Sequence, residues 1–192
     1  MRLLLVLAVI AATSLPAAAD TPDRRITCGG EVSGGYAIAR ARVAGATAGA
    51  LDFAADGVLL ALGGECHMAV GKITAGALAR YHVGKAETRV EDVTLEIEGL
   101  WTVAGRLGWQ IQPTTTFYGI IGWSGATTGA TGLADRRLQG LATGLGIDTR
   151  LVGPTLLRFE WTRHDFRGVA IEDARLSPVL NLIRAGVVIE LN

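Results

Sequence analysis

LEIEGLWTVAGRLGWQI, residues Leu95–Ile111, decides the fold. Its odd positions carry Leu95, Ile97, Gly99, Trp101, Val103, Gly105, Leu107, Trp109 and Ile111. Its even positions include Glu96, Glu98, Thr102, Ala104, Arg106, Gly108 and Gln110. Strict alternation at period two gives a β-strand with one apolar and one polar face. A strand this long far exceeds the usual ~5–6 residues of a globular sheet.

The same alternation recurs on both sides of this stretch. Lys72–Gly84 sets Ile73, Ala75, Ala77, Ala79, Tyr81 and Val83 against Lys72, Thr74, Arg80 and His82. Thr155–Phe166 sets Leu157, Phe159 and Trp161 against Arg158, Glu160, Thr162 and His164. Ile183–Leu191 sets Ile183, Ala185, Val187, Ile189 and Leu191 against Arg184, Gly186 and Glu190. Gly34–Gly45 places Ala37, Ala39, Ala41 and Val43 opposite Arg40 and Arg42. Val58–Met68 and Leu138–Leu151 alternate more weakly, with Glu65, His67 and Asp148 on the polar side. In Thr115–Ala126 the larger face holds Phe117, Ile121 and Trp123. These segments make eight strands.

The connections alternate as well. Residues 46–56, 85–93, 127–137 and 167–177 are long and polar or Gly-rich, whereas 69–71, 112–114 and 152–154 are short and contain Gly71, Pro113 and Gly153-Pro154. An even strand count, with short turns at one end and longer loops at the other, is the pattern of an outer-membrane barrel. The expected architecture is all-β: an eight-stranded antiparallel up-and-down transmembrane β-barrel.

Charge and aromatics say which face is which. Tyr81, Trp101, Trp109, Trp123, Phe159 and Trp161 fall on the apolar face and are expected to form the aromatic girdles. The spacing from Trp101 to Trp109 corresponds to roughly 20 Å of membrane height in a tilted strand. Arg40, Arg42, Arg80, Arg106, Arg158 and Arg184 fall on the opposite face, with Glu65, Glu96, Glu98, Asp148, Glu160 and Glu190. Facing lipid, each such charge costs about 2–4 kcal/mol at the midplane. Inside a narrow eight-stranded barrel the two signs pair and fill the lumen. A lumenal charge network is therefore expected.

Composition narrows the class. Residues 1–19 have a charged start at Arg2, an apolar run from Leu3 to Leu15 and Ala17-Ala18-Ala19, the layout of a cleaved export signal. Residues 20–33 read as an N-terminal periplasmic lead-in, and residues 34–192 as the barrel domain. Hydrophobic content of 49% is too high for disorder, while 26 glycines disfavour long helices. After residue 19 no apolar run is long enough for a membrane helix. Losing Arg2 from a formally neutral chain leaves a net charge of −1, so no basic field serves nucleic acid.

WTVAGRLGWQIQPTTTFYGIIGWSGA (Trp101–Ala126) resembles the central hairpin of the Omp25/Omp31-like outer-membrane β-barrel family of Gram-negative bacteria. LRFEWTRHDFRG (Leu157–Gly168) is similar to that family's penultimate strand, and IRAGVVIEL (Ile183–Leu191) to its last. GGECHMAVGKITAGALARYHVGKA (Gly63–Ala86) resembles the second hairpin less closely. The resemblance implies a surface antigen, an envelope-stabilising protein or a small porin. It also implies partners in outer-membrane lipid, lipopolysaccharide and the barrel-assembly machinery. The chain ends Leu191-Asn192 where the family usually places an aromatic.

Other chemistry is sparse. Cys28 and Cys66 are the only cysteines, and export permits a disulfide that would pin the lead-in to the barrel rim; the alternative is two isolated thiols. His67, His82 and His164 come from separate strands and read as hydrogen-bonded lumen filling, so no cofactor or metal is expected. After the leader only Ser33, Ser124 and Ser177 remain as serines, none beside a histidine on an outward face, so no lipid hydrolase is expected. Glu96 and Glu98 lie among arginines, which favours ion pairing over acid–base catalysis. GKAETRVEDV (Gly84–Val93) and RGVAIEDARLS (Arg167–Ser177) are solvent-suited loops that carry no motif naming a ligand. The expected role is structural or surface-exposed, with at most weak small-solute permeability. A soluble periplasmic barrel holding an apolar ligand is the alternative.

Overall fold

A computed structural model describes residues 25–45, 51–90, 93–130, 133–167, 169–171 and 174–191. The leader 1–19 and the start of the lead-in lie outside the described residues. The strands are β1 (Arg25–Gly45), β2 (Leu51–Val70), β3 (Ile73–Val90), β4 (Val93–Gln112), β5 (Thr115–Ala130), β6 (Leu133–Arg150), β7 (Thr155–Phe166), β8 (Val169–Ile171) and β9 (Ala174–Leu191). Each pairs antiparallel with its neighbour, and β1 pairs with β9, from Cys28 opposite Leu191 to Gly45 opposite Ala174. β7 and the short β8 both pair with β9 along one line, so nine strands make eight staves of a closed barrel. Closure satisfies the backbone groups that an open edge would leave unpaired.

The hairpins are tight at one rim. Val70 and Ile73 are joined through Gly71 at φ 60°, and the turn from β6 to β7 uses Gly153 at φ 58°, a backbone region where a Cβ is strained. At the opposite rim the expected long loops are largely strand. β3 continues to Val90 and β4 resumes at Val93, while β5 continues to Ala130 and β6 resumes at Leu133. Polar, charged sequence there does not entail loss of backbone pairing. With 20 residues each, β2 and β4 rise roughly 50 Å at a tilt of ~40°, about twice the ~25 Å apolar band of a membrane barrel.

The two faces differ sharply. Outside stand Val32, Leu60, Leu62, Val103, Leu107, Ile121, Leu145 and Ile183, all exposed. Inside are Arg80, Arg106, Arg158, Arg184, Glu31, Glu65, Asp148 and Glu160, all buried. A folded chain that inverts the ordinary apolar-in rule over its whole girth is suited to lipid outside, and an interior of this chemistry does not suit an apolar ligand.

Two expectations about β1 are corrected. The strand begins at Arg25, so the segment read as lead-in supplies Glu31 and Ser33 to the lumen. The facing of Gly34–Gly45 is also inverted: Ala37 and Ala39 are buried inside while Arg40 is exposed outside, on the same face as Tyr36 and Ile38. A charge reports the lumen only at membrane height. Above the aromatic belt the outer face meets water, so Arg40 is tolerated there and small alanines fill the interior.

Candidate functional site

The lumen at membrane height holds four arginines and four carboxylates in mutual contact. Alternation turns each side chain inward, and because rows are staggered across tilted strands, residues far apart in sequence meet. Glu31 comes from β1, Glu65 from β2, Arg80 from β3, Arg106 from β4, Asp148 from β6, Arg158 and Glu160 from β7, and Arg184 from β9. Tyr118 from β5 completes the ring of staves and donates its hydroxyl hydrogen bond to Glu160 Oε2 at 2.7 Å.

Arg158 is the centre and is fully buried. Its Nε donates to Asp148 Oδ1 at 2.8 Å, and Nη2 donates to Asp148 Oδ2 at 2.7 Å and Glu65 Oε1 at 2.8 Å. Nη1 donates to Glu31 Oε2 at 2.8 Å and Glu65 Oε2 at 2.7 Å. These contacts use the whole fork of guanidinium N–H groups. Arg80 bridges Glu31 (2.9 Å) and Glu160 (2.8 and 3.1 Å). Arg184 bridges Glu31 (2.6 Å), Glu160 (2.6 and 3.0 Å) and the Ser33 hydroxyl (3.1 Å). Arg106 bridges Glu65 (2.9 Å) and Asp148 (2.6 Å), and its guanidinium lies 4.0 Å from the centre of the Tyr118 ring.

Two properties follow. The cluster is electrically balanced, which lets it persist in a low-dielectric lumen where an unpaired charge would be very costly. It also spans the bore, since every stave contributes a side chain. Small residues make the room: a Cβ on Gly63 would stand 2.7 Å from Arg80 Cγ, and one on Gly35 would stand 2.6 Å from Arg184 Cβ.

Above this layer are His82, Thr102, Ser124, Thr162 and His164, all buried. His82 Nδ1 is 3.2 Å from the Leu100 carbonyl, and His164 Nε2 is 3.3 Å from Thr162 Oγ1. An apolar plug that includes Leu59, Leu100, Leu138, Phe166, Leu180 and Leu182 follows. Below the charged layer, a cavity of about 410 Å³ opens toward the short-turn rim.

The residues singled out from sequence divide as follows. Glu65, Arg80, Arg106, Asp148, Arg158, Glu160 and Arg184 meet in the central cluster. Glu190 stands apart at the short-turn rim, 2.7 Å from Arg150. Arg40 is outside the barrel, and the side chains of Arg42, Glu96 and Glu98 lie outside the described residues. Glu31 and Tyr118 were missed. Glu31 sits in a run of glycines that hides alternation, and Tyr118 looks like a girdle residue until the register of β5 is known.

Tyr81, Trp101, Trp109, Phe159 and Trp161 project from the outer wall, and Trp123 is half-buried there with the Arg167 guanidinium 4.9 Å above its ring. Cys28 and Cys66 are opposite each other on β1 and β2 and form a disulfide. It lies on the outer face, on the same parity as Val32 and Leu62, and ties two staves rather than a loose segment.

No family model matches the chain, and no curated protein matches it. Among solved structures, it is similar to the outer membrane protease OmpT from Escherichia coli, with 8% identity, 92% of this chain and 99% of that chain covered, and a TM-score of 0.52. The likeness is one of fold. Neisserial surface protein A is similar at 10% identity over 84% of this chain and 97% of that one, TM-score 0.49. OprG of Pseudomonas aeruginosa is similar at 13% identity over 85% and 96%, TM-score 0.47.

Proposed function

We propose that this protein is a structural or surface barrel of the Gram-negative outer membrane whose lumen is sealed to solutes. The balanced cluster of Glu31, Glu65, Asp148 and Glu160 with Arg80, Arg106, Arg158 and Arg184, drawn from around the whole wall, carries this reading. An ion crossing the lumen would have to break several charge-assisted hydrogen bonds of this cluster. The apolar plug above the cluster supports the same conclusion.

In this reading residues 1–19 direct export, the barrel-assembly machinery inserts the chain, and the short-turn rim faces the periplasm. Lipid and lipopolysaccharide cover the outer wall, and the extended hairpins stand on the cell surface, where a ligand of the envelope or environment would meet them. The motifs from Trp101 to Ala126 and from Leu157 to Gly168 support a likeness to Omp25/Omp31-like proteins. No catalytic role is assigned: Ser33 is held by Glu31 and Arg184, and Ser124 is buried within the lumen.

Reconstitution into planar bilayers tests the seal. No unitary conductance is expected from the wild-type barrel at any voltage the bilayer tolerates. Reproducible channels from protein whose gel mobility shifts on boiling would replace this reading with a diffusion pore.

A further inference from the structure

The cavity at the short-turn rim has groups that the sealing cluster leaves uncommitted. Its roof is Arg106, which is nine-tenths buried and lines the cavity. Both terminal nitrogens of Arg106 are committed, one to Glu65 and one to Asp148, but its Nε has no partner among the described residues. Thr74 Oγ1 and His67 Nδ1, whose residues also line the cavity, are buried and have no hydrogen-bond partner among the described residues. A Cβ on Gly108 would collide with Thr74 Oγ1 and come within 3.0 Å of Thr116 Cγ2, so glycine there leaves room for both threonines beneath Arg106.

The rim supplies the opposite charge. Glu190 binds Arg150 through Oε2 at 2.7 Å, while its Oε1 faces His67 Nε2 at 3.9 Å, beyond hydrogen-bonding range. His67 Nδ1 is 3.9 Å from Glu65 Oε1, the oxygen that Arg106 also holds. The imidazole thus stands between Glu65, the carboxylate that Arg106 holds, and Glu190 at the rim, beyond hydrogen-bonding range of each. The charged residues in the wall, Arg106 and Arg150 against Asp148 and Glu190, balance.

We propose that this cavity binds a short zwitterion of amino-acid to dipeptide size. Its carboxylate would accept from Arg106 Nε and Thr74 Oγ1, and its ammonium would donate to Glu190 Oε1. A simple anion would leave the Glu190 end of the cavity without a partner, and a simple cation would leave Arg106 Nε and Thr74 Oγ1 without one. A molecule with both charges, separated by a few bonds, satisfies both ends at no net charge. The volume of about 410 Å³ falls within the range of small-molecule sites.

The probe is glycylglycine, titrated into the complete mature barrel in detergent micelles and followed by backbone amide chemical shifts. Saturable shifts are expected at Thr27, His67, Thr74 and Gln110, with little change at the opposite rim. Thr74→Val and Glu190→Gln each remove one end of the site without touching the central cluster, and the spectrum itself reports that each variant is folded. Each is expected to weaken binding about tenfold, as for loss of one hydrogen bond to a charged group. Acetate and ethylammonium are expected to bind more weakly than glycylglycine. Absence of saturable shifts overturns the proposal. So does acetate or ethylammonium binding as tightly as glycylglycine, or affinity unchanged in both variants.

Discussion

Replacing Arg158 with methionine keeps an unbranched apolar stem and removes the charge around which the lumen is organised. The substitution deletes five hydrogen bonds to Asp148, Glu65 and Glu31 and leaves the cluster one positive charge short. Removing one partner of a buried ion network costs about 3–5 kcal/mol, because the remaining carboxylates stay desolvated without compensation. At a urea slope of ~2 kcal/mol/M, a loss near 4 kcal/mol moves the unfolding midpoint down by about 2 M. The assay is equilibrium unfolding in detergent or lipid vesicles, read by tryptophan fluorescence and by the gel shift between boiled and unboiled samples. Asp148→Asn supplies the control, since Arg158→Met with Asp148→Asn restores equal numbers of positive and negative groups. The double variant is expected to recover at least ~1.5 kcal/mol relative to the sum of the single losses, the scale of coupling between directly bonded residues. Arg158→Lys, with three donors in place of five, should fall between wild type and Arg158→Met. A midpoint for Arg158→Met close to wild type, or strict additivity in the double variant, would refute the view that the lumen is held by one cooperative charge cluster.

Four further substitutions have expected outcomes. Gly63→Val should prevent recovery of the heat-modifiable form, because its Cβ would stand 2.7 Å from both the Ala79 carbonyl oxygen and Arg80 Cγ. Ile121→Arg should lower stability by about 2–4 kcal/mol, the cost of an arginine at the lipid midplane, since Ile121 is exposed outside and pairs with Gly105, midway between Trp101 and Trp109. Arg40→Ala, on the watery part of the same face, should change the midpoint negligibly, and a large loss there would contradict the belt position. Cys28→Ser with Cys66→Ser should cost about 2–4 kcal/mol, given the 38-residue separation that the disulfide closes. Boiled wild-type protein should also run differently on gels with and without reductant, a difference the double variant loses.

How far the sequence could be read depended on where a residue stood. From Trp101 to Ile111, and again from Leu157 to Thr162, apolar residues alternate with polar, charged or small ones, so facing could be assigned one residue at a time. Between Gly29 and Gly35 of β1, glycines at 29, 30, 34 and 35 leave only Glu31, Val32 and Ser33 to show a face, and Glu31 falls within the segment 20–33 expected as the periplasmic lead-in. In its upper half Ala37 and Ala39 suit either side, and Arg40 marks water without saying which water. The segments expected as loops were recognised correctly as polar, but polarity does not distinguish a coil from a strand that has left the membrane.

The sequence by itself determined a closed barrel with one apolar and one polar wall, because long strands with period-two alternation satisfy their backbone groups without open edges only when the sheet closes. It also determined the sign of most lumenal residues, since charge inside the apolar band must point inward. Which charges meet was decided only by the tertiary structure. The stagger between tilted strands sets whether Arg158 reaches Glu31, more than a hundred positions away, or whether Glu190 is left at the rim with Arg150. That stagger depends on the closure of β1 onto β9, a property of the whole ring and of no single strand.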